Sequence, residues 1–264
     1  MSSVHSVTAS APGKTNLFFA VGPLQPDGFH EVASIYLALD LREEVTVSPA
    51  NDWSVSVSGN VSVEQLAAVP TGPENLVVRA AKHVAELAGS DAQPIAFAID
   101  KHVPVAGGMG GGSADAAAAL VAVDALWCTG VSNRLVESVA LGADVPFAVA
   151  GGIAIGLGRG EKLAQITDVP KLHLVLVTSD EGLSTPAVYK RLDELRAARG
   201  IDPAQAPKAQ VAEELILALQ AGDLTRIAEL LTNDLQEAAL DLRPDLKKTL
   251  ADGLAAGALT GFVS

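Results

Sequence analysis

This chain has one cysteine, Cys128. A single thiol excludes an intramolecular disulfide, and cysteine poverty suits a reducing cytoplasm. Aromatic residues make up only 4% of the sequence, so alanine, valine and leucine must fill the core. Basic residues are also scarce: 18 Lys and Arg against 31 Asp and Glu leave a net charge of −13. That balance argues against a nucleic-acid or anionic-membrane surface, which would need a basic face. A negatively charged ligand must therefore be met by local positive groups: a few lysines or arginines, helix ends and a metal ion. No apolar run reaches membrane-spanning length, because Asp124 interrupts residues 116–127 and glycines punctuate residues 147–157. The N-terminus, Met1-Ser-Ser-Val-His5, has no basic stretch leading into an apolar one, so no secretory signal is expected. The expectation is a soluble cytoplasmic protein of one large or two modest domains.

Against these absences stands one dense motif. Pro104-Val-Ala-Gly-Gly-Met-Gly-Gly-Gly-Ser113 places five glycines in six residues and runs into an alanine-rich segment. Glycine lets the backbone curl and approach a ligand closely. A helix N-terminus adds unpaired N–H groups and the positive end of the macrodipole. The combination reads as an anion site, best suited to a nucleotide polyphosphate. The competing reading, a flexible Gly-rich linker, fits poorly with ordered sequence on both flanks. Familiar phosphate motifs are excluded by inspection: Gly112 precedes Ser113 where a Walker A loop needs lysine, and Ser113 stands where a dinucleotide fingerprint needs its third glycine. H-R-D and D-F-G are both absent, and Asp115 breaks G-x-S-x-G.

Periodicity predicts strands over 4–11 and 16–21 with a lysine-bearing turn, Pro12-Gly-Lys14-Thr-Asn16, between them. Further strands are predicted within 35–48, over 53–59, over 94–100, from about 147 to 161, and over 172–178. A helix is predicted over 76–87, and the most secure one over 113–127 with Ser113 as its N-cap. Asp115 would repel a bound phosphate if it faced the loop, so it is expected to point away. Residues 142–147 read as a loop because Pro146 disfavours helix in its neighbour. Four helices follow, over 188–199, 209–221, 224–240 and 245–256. Sequence rich in strands thus gives way near residue 160 to sequence rich in helices.

Three segments in this order resemble the GHMP kinases: Ala11-Pro-Gly-Lys14-Thr-Asn16-Leu17, the glycine loop ending at Ser113, and the helical C-terminal part. Pro26-Asp-Gly-Phe-His30-Glu, Ile99-Asp-Lys101 and Leu141-Gly-Ala-Asp144-Val-Pro-Phe147 narrow the resemblance to the branch serving the non-mevalonate isoprenoid precursor pathway. The resemblance covers essentially the whole chain. It implies an α/β (α+β) two-domain fold, with domains at 1–160 and 161–264 and the active site in the cleft between them. It implies ATP and Mg²⁺ as cofactors, and a cytidine diphosphate-linked methylerythritol as small-molecule acceptor, phosphorylated at its 2-hydroxyl. Asp144 matches the family's proton acceptor and Lys14 its catalytic lysine. Gly107, Gly108, Gly110, Gly111 and Gly112, flanked by Pro104 and Ala114, match the positions that hold the ATP phosphates, with Ser113 near the β-phosphate or the metal. Asn75 and Lys101 match positions near the nucleotide base. Phe29 and His30 match an aromatic pair around the cytosine, where the family usually has tyrosine at position 29, and Tyr189 matches a further stacking residue. Asn16, Thr185 and Pro186 match the acceptor side.

Each residue also has a plainer reading. Asp144 could cap a turn, Lys14 could be solvated, Asn75 could cap the helix beginning at Leu76, and His30 could simply be packed. Another small-alcohol kinase of the family, of homoserine or mevalonate type, or a nucleotide-binding regulator without turnover, fits the same motifs. The family carries a third glycine motif, Gly-Ser-Gly-Pro-Thr or close to it, where this sequence stops at Leu259-Thr-Gly-Phe-Val-Ser264. The C-terminal domain is therefore expected to be incomplete at its end, with residues 260–264 beginning a buried strand.

Overall fold

The computed structural model describes residues 6–105, 107–179 and 182–264. In chain order the elements are β1 (Val7–Leu24), β2 (His30–Pro49), β3 (Ser54–Gly59), α1 (Val63–Ala67), α2 (Leu76–Ala88), β4 (Ile95–Lys101), α3 (Gly111–Trp127), a 3-10 segment (Ser132–Leu141), α4 (Val145–Ala150), β5 (Ile153–Gly158) and β6 (Lys162–Gln165). Then come α5 (Thr185–Ala198), a 3-10 turn (Pro203–Gln205), α6 (Glu213–Ala221), α7 (Leu224–Leu230), α8 (Gln236–Leu242) and α9 (Leu246–Ala255). The chain divides into two compact units, residues 1–15 with 38–151 and residues 16–37 with 152–264. This differs from the single boundary near residue 160 expected from the sequence. The first strands are shared instead because β1 and β2 are long enough, at 18 and 20 residues, to serve both units.

In the first unit β4 lies between β2 and β3, antiparallel to β2 with Glu44 opposite Asp100, and parallel to β3 with Gly59 opposite Lys101. Helices α2 and α3 supply most of the remaining core. Val77, Val78, Ala80, Ala81, Val84 and Ala85 form one buried face of α2. By contrast, α3 is buried on all sides from Ala114 to Leu120, as a helix apolar all round must be. The small side chains of α3 let its neighbours approach closely, which is how a core poor in aromatics is filled. In the second unit β2 pairs antiparallel with β5, Tyr36 opposite Ala154, and β5 turns into β6. Leu17, Ile35, Leu37, Ile153, Leu215, Leu219 and Ile227 form its larger core, and Val21, Val188, Leu192, Ala238 and Ala239 a smaller one.

Several local expectations are corrected. Residues 12–16 form no turn: β1 runs through them, and the N–H of Lys14 donates to the carbonyl of Met109 at 2.9 Å. Pro146 lies in the first turn of α4 rather than preventing it, since a proline there has no N–H to leave unpaired and its φ suits the helix. Helix α3 begins at Gly111 and its cap is Gly110, so Ser113 lies inside the first turn. The expected helix over 224–240 breaks at residues 231–235, where the Asn233 side chain accepts from the N–H of Leu235 and the backbone pairs with Phe19. Asn competes with helical backbone in this way. Residues 172–178 form no strand: Val175 and Val177 are 91% and 71% exposed. A β-prone run becomes a strand only when a ladder partner and a packing surface accept it. Residues 260–264 are likewise not a strand; the carbonyl of Val263 accepts from Asn233 and its N–H donates to Gln236.

Candidate active site

The glycine loop joins the end of β4 to the start of α3 and is anchored from below by Met109, which packs with Val103 and Leu39 in a small buried cluster. Ala106 lies outside the described residues. Gly107, Gly108 and Gly112 are exposed, Pro104, Gly110, Gly111 and Ser113 are half-buried, and Ala114 is buried. Gly110 has φ +69°, a conformation that favours glycine, and a Cβ there would lie 3.3 Å from Lys14 Cγ and 3.9 Å from Asp144 Oδ2. The first N–H groups of α3 beyond this cap have no intrahelical acceptor.

Lys14 Nζ and Asp144 Oδ2 are 4.0 Å apart, beside Gly110. Burial pushes the Lys14 ammonium below its ordinary pKa, and the Asp144 carboxylate opposes that shift. Asp144 occupies the cap position of α4 but its carboxylate makes no capping hydrogen bond, so the side chain is not consumed by the turn. Gly142, two residues before it, faces Ser113: a Cβ on Gly142 would lie 3.9 Å from Ser113 Oγ. Four sequence-predicted positions, Lys14, Gly110, Ser113 and Asp144, are thus brought together within one unit.

Asn75 and Lys101 both have protein partners. Asn75 caps α2: its Oδ1 accepts from the N–H of Val77 at 2.9 Å and its amide donates to the carbonyl of Pro70. It remains near the loop, since a Cβ on Gly112 would lie 3.6 Å from Leu76 Cδ1. Lys101 is 2% exposed, with Nζ 2.6 Å from Glu43 Oε1 and 2.7 Å from Asp115 Oδ2. Asp115 turns inward to that ammonium. Its burial, partly offset by Lys101, raises its carboxyl to about pKa 7. Glu43 escaped the sequence reading, yet a signal exists. Glu43 shares the buried parity of Leu39, Val45 and Val47 on β2, and Lys101 that of Ile95, Phe97 and Ile99 on β4. Opposite charges on the apolar parity of two strands are a pairing signal.

In the second unit the rings of His30 and Tyr189 stack at 5.2 Å and 26°. His30 Nε2 lies 3.1 Å from Asp193 Oδ1, a partner on α5 that the sequence reading did not pick out. Burial raises the Tyr189 phenol to about pKa 12, which keeps it protonated. Phe29 is not in this stack. It is 56% exposed, and the Arg159 guanidinium, paired with Asp27, lies 4.2 Å above its ring. Phe29, His30 and Arg159 help line a cavity of about 400 Å³, with Gln25, Pro26, Asp27, Glu31, Gly158 and Glu161. The direct stack of His30 on Tyr189 leaves no room for a further ring between them. Asn16 donates to Ser34 Oγ at 2.7 Å, and Thr185 and Pro186 form the exposed first turn of α5.

Residues 75–152 match the family model described as GHMP kinases N terminal domain. The 4-diphosphocytidyl-2-C-methyl-D-erythritol kinase of Rhodococcus jostii (strain RHA1) is 46% identical over 98% of this chain and 80% of its own length. The protein of that name from Leifsonia xyli subsp. xyli (strain CTCB07) is 48% identical over 98% of this chain and 85% of its own. The chain belongs to the 4-diphosphocytidyl-2-C-methyl-D-erythritol kinase family. It is a small-molecule kinase with the mixed α/β fold of the GHMP kinases. A crystal structure of 4-(cytidine 5'-diphospho)-2C-methyl-D-erythritol kinase superimposes with TM-score 0.68 at 28% identity, covering 95% of this chain and 83% of that one. L. major mevalonate kinase, in complex with R-mevalonate, gives TM-score 0.70 at 17% identity over 96% of this chain and 82% of its own, a likeness of fold alone. Membership of this kinase family implies ATP as phosphoryl donor. Among the described residues no helix is long and apolar enough to cross a membrane.

Proposed function

We propose that this chain transfers the γ-phosphoryl group of ATP to the 2-hydroxyl of 4-diphosphocytidyl-2-C-methyl-D-erythritol, in the cytoplasm, as a step towards isoprenoid precursors by the non-mevalonate route. The observation that carries the chemistry is the Lys14–Asp144 pair, 4.0 Å apart beside the capping glycine of α3. Phosphoryl transfer asks mainly for positioning and charge neutralisation. Asp144 orients the acceptor hydroxyl and takes its proton as the new O–P bond forms and the bond to the β-phosphate oxygen breaks, releasing ADP. Lys14 steadies the charge that develops on the transferred group.

The residues at the loop fit a polyphosphate. The N–H groups at the start of α3 and the exposed Gly107, Gly108 and Gly112 form a cradle without side chains, at the positive end of a 17-residue helix. Among the described residues no group of three or more His, Cys, Asp and Glu side chains could hold a metal by itself. Mg²⁺ would be held by Ser113 Oγ together with phosphate oxygens, as this ion commonly is, and would neutralise charge between donor and acceptor. On the acceptor side, Phe29 and the His30–Tyr189 pair offer ring faces to cytosine, with Asn16, Thr185 and Pro186 contributing to the same side.

ADP release measured with the cytidine-containing alcohol, homoserine and mevalonate in parallel tests this reading. Turnover confined to the cytidine compound is expected. Turnover with homoserine or mevalonate instead would reassign the acceptor, and ATP binding without turnover on any of the three would favour a regulator.

A further inference from the structure

We infer that the buried Lys101–Asp115 ion pair is a staple that closes the glycine loop on its two ends, making both residues positioning residues for the nucleotide rather than contacts to it. This rests on the proposed reading of the loop as the nucleotide site. Lys101 is the last residue of β4, where the chain leaves for the loop, and Asp115 sits on α3 just after the loop returns. Their side chains meet at 2.7 Å, with 2% and 5% side-chain exposure. The segment between them contains five glycines, which lose more freedom on ordering than any other residue. An ion pair across its ends removes part of that freedom before a ligand arrives, and at this depth salt screens it little.

The surroundings are built to hold the staple. Glu43 on β2 takes the same ammonium at 2.6 Å, and its other oxygen accepts from the N–H of His102, the first loop residue, at 2.9 Å. The end of the loop packs on this ammonium and on Glu43: a Cβ on Gly111 would lie 3.1 Å from Glu43 Oε1 and 3.4 Å from Lys101 Nζ. Two carboxylates share one ammonium, and neither Asp115 Oδ1 nor Glu43 Oε1 has a hydrogen-bond partner among the described residues, the contact of Glu43 Oε1 with Lys101 being an ion pair. Such an arrangement is a poor way to gain stability, because desolvation of buried charges offsets their attraction. Its specific product is the fixed separation of the loop ends. With both carboxylates within 2.7 Å, Lys101 could reach a bound base only by abandoning them.

The test compares two isosteric variants, each of which removes one carboxylate and leaves Lys101 one partner. Asp115→Asn breaks the staple, whereas Glu43→Gln leaves it in place. If the loop's competent population falls to about a tenth when the staple is lost, the apparent affinity for ATP falls about tenfold. We expect Asp115→Asn to raise KM for ATP about tenfold, with kcat and acceptor KM within about threefold of wild type and Tm preserved. Glu43→Gln is expected to change KM for ATP by about threefold or less. Hydrogen exchange of the ligand-free protein gives a readout that needs neither nucleotide nor activity: amides of residues 107–110 should exchange about tenfold faster in Asp115→Asn. Equal effects of the two variants on KM for ATP, unchanged exchange in Asp115→Asn, or a general loss of Tm with both Michaelis constants would overturn the staple. Failure of the wild-type chain to retain ATP in equilibrium dialysis would instead overturn the reading of the loop as a nucleotide site, and the staple's role with it.

Discussion

Burial sets the character of the Lys14–Asp144 pair as much as charge does. Asp144→Asn removes a proton acceptor without changing shape, so turnover should fall about 10²–10⁴-fold while ATP binding persists. Retention of more than about a tenth of wild-type turnover at saturating acceptor would exclude Asp144 as the base. Lys14 is the opposite case, a functional group that costs stability. Its folded pKa lies below the ordinary 10.5, with desolvation the larger cause and Asp144 opposing it. The unfolded chain therefore binds more protons between the lowered value and 10.5, and this group's contribution to stability rises with pH across that window. Lys14→Met should lose turnover by about 10²–10³-fold while Tm at neutral pH holds or rises. A fall in Tm beyond about 4 °C would show that the ammonium supports the fold. On the acceptor side, Phe29→Ala and Tyr189→Ala should each raise acceptor KM about five- to a hundred-fold, the range expected for loss of one stacking surface. A rise in KM for ATP instead would assign these rings to the donor.

At the scale of elements, the start of α2 separates two roles for Asn75. Its side chain satisfies the N–H of Val77, and the helix it caps carries six buried residues into the core. Asn75→Ala should therefore cost about 0.5–2 kcal/mol in denaturant unfolding, with KM for ATP moving less than about threefold. An increase beyond about tenfold at unchanged stability would return Asn75 to the nucleotide. The helices that follow residue 184 obey the apolar spacing of the sequence, but some of their boundaries are set by side chains that compete with helical backbone. Asn233 is the clearest example, breaking one long expected helix in two through its bond to the N–H of Leu235.

Across the whole molecule, the net charge of −13 governs how ligands approach from a distance. Both proposed substrates are polyanions, so long-range repulsion opposes their approach and only short-range groups hold them. Raising monovalent salt from about 20 mM to about 150 mM, which shortens the Debye length to about 8 Å, should lower both Michaelis constants at fixed magnesium. A rise in both with salt would mean that a local positive field outweighs the net charge. The two units differ in how their cores are filled. The first relies on the alanine face-packing of α3, and the second on leucine and isoleucine from α6, α7 and the middle of β2.

Much of this was legible without coordinates, and for a common reason. The glycine loop, the alanine-rich helix behind it, the cap at Asn75 and the acidic balance are properties of contiguous residues, whose backbone freedom, capping chemistry and charge act locally. The sequence by itself also placed the chain among the GHMP kinases, because motif spacing survives as a linear pattern. What only the tertiary structure decided depends on residues that chain closure brings together. Lys14 and Asp144 meet because β1 runs under the glycine loop, through a stretch that reads locally as a turn. Asp115 faces inward because Glu43 and Lys101 arrive from two strands to receive it. Residues 172–178 have every local property of a strand and are not one, since a strand exists only when a neighbour offers its hydrogen bonds.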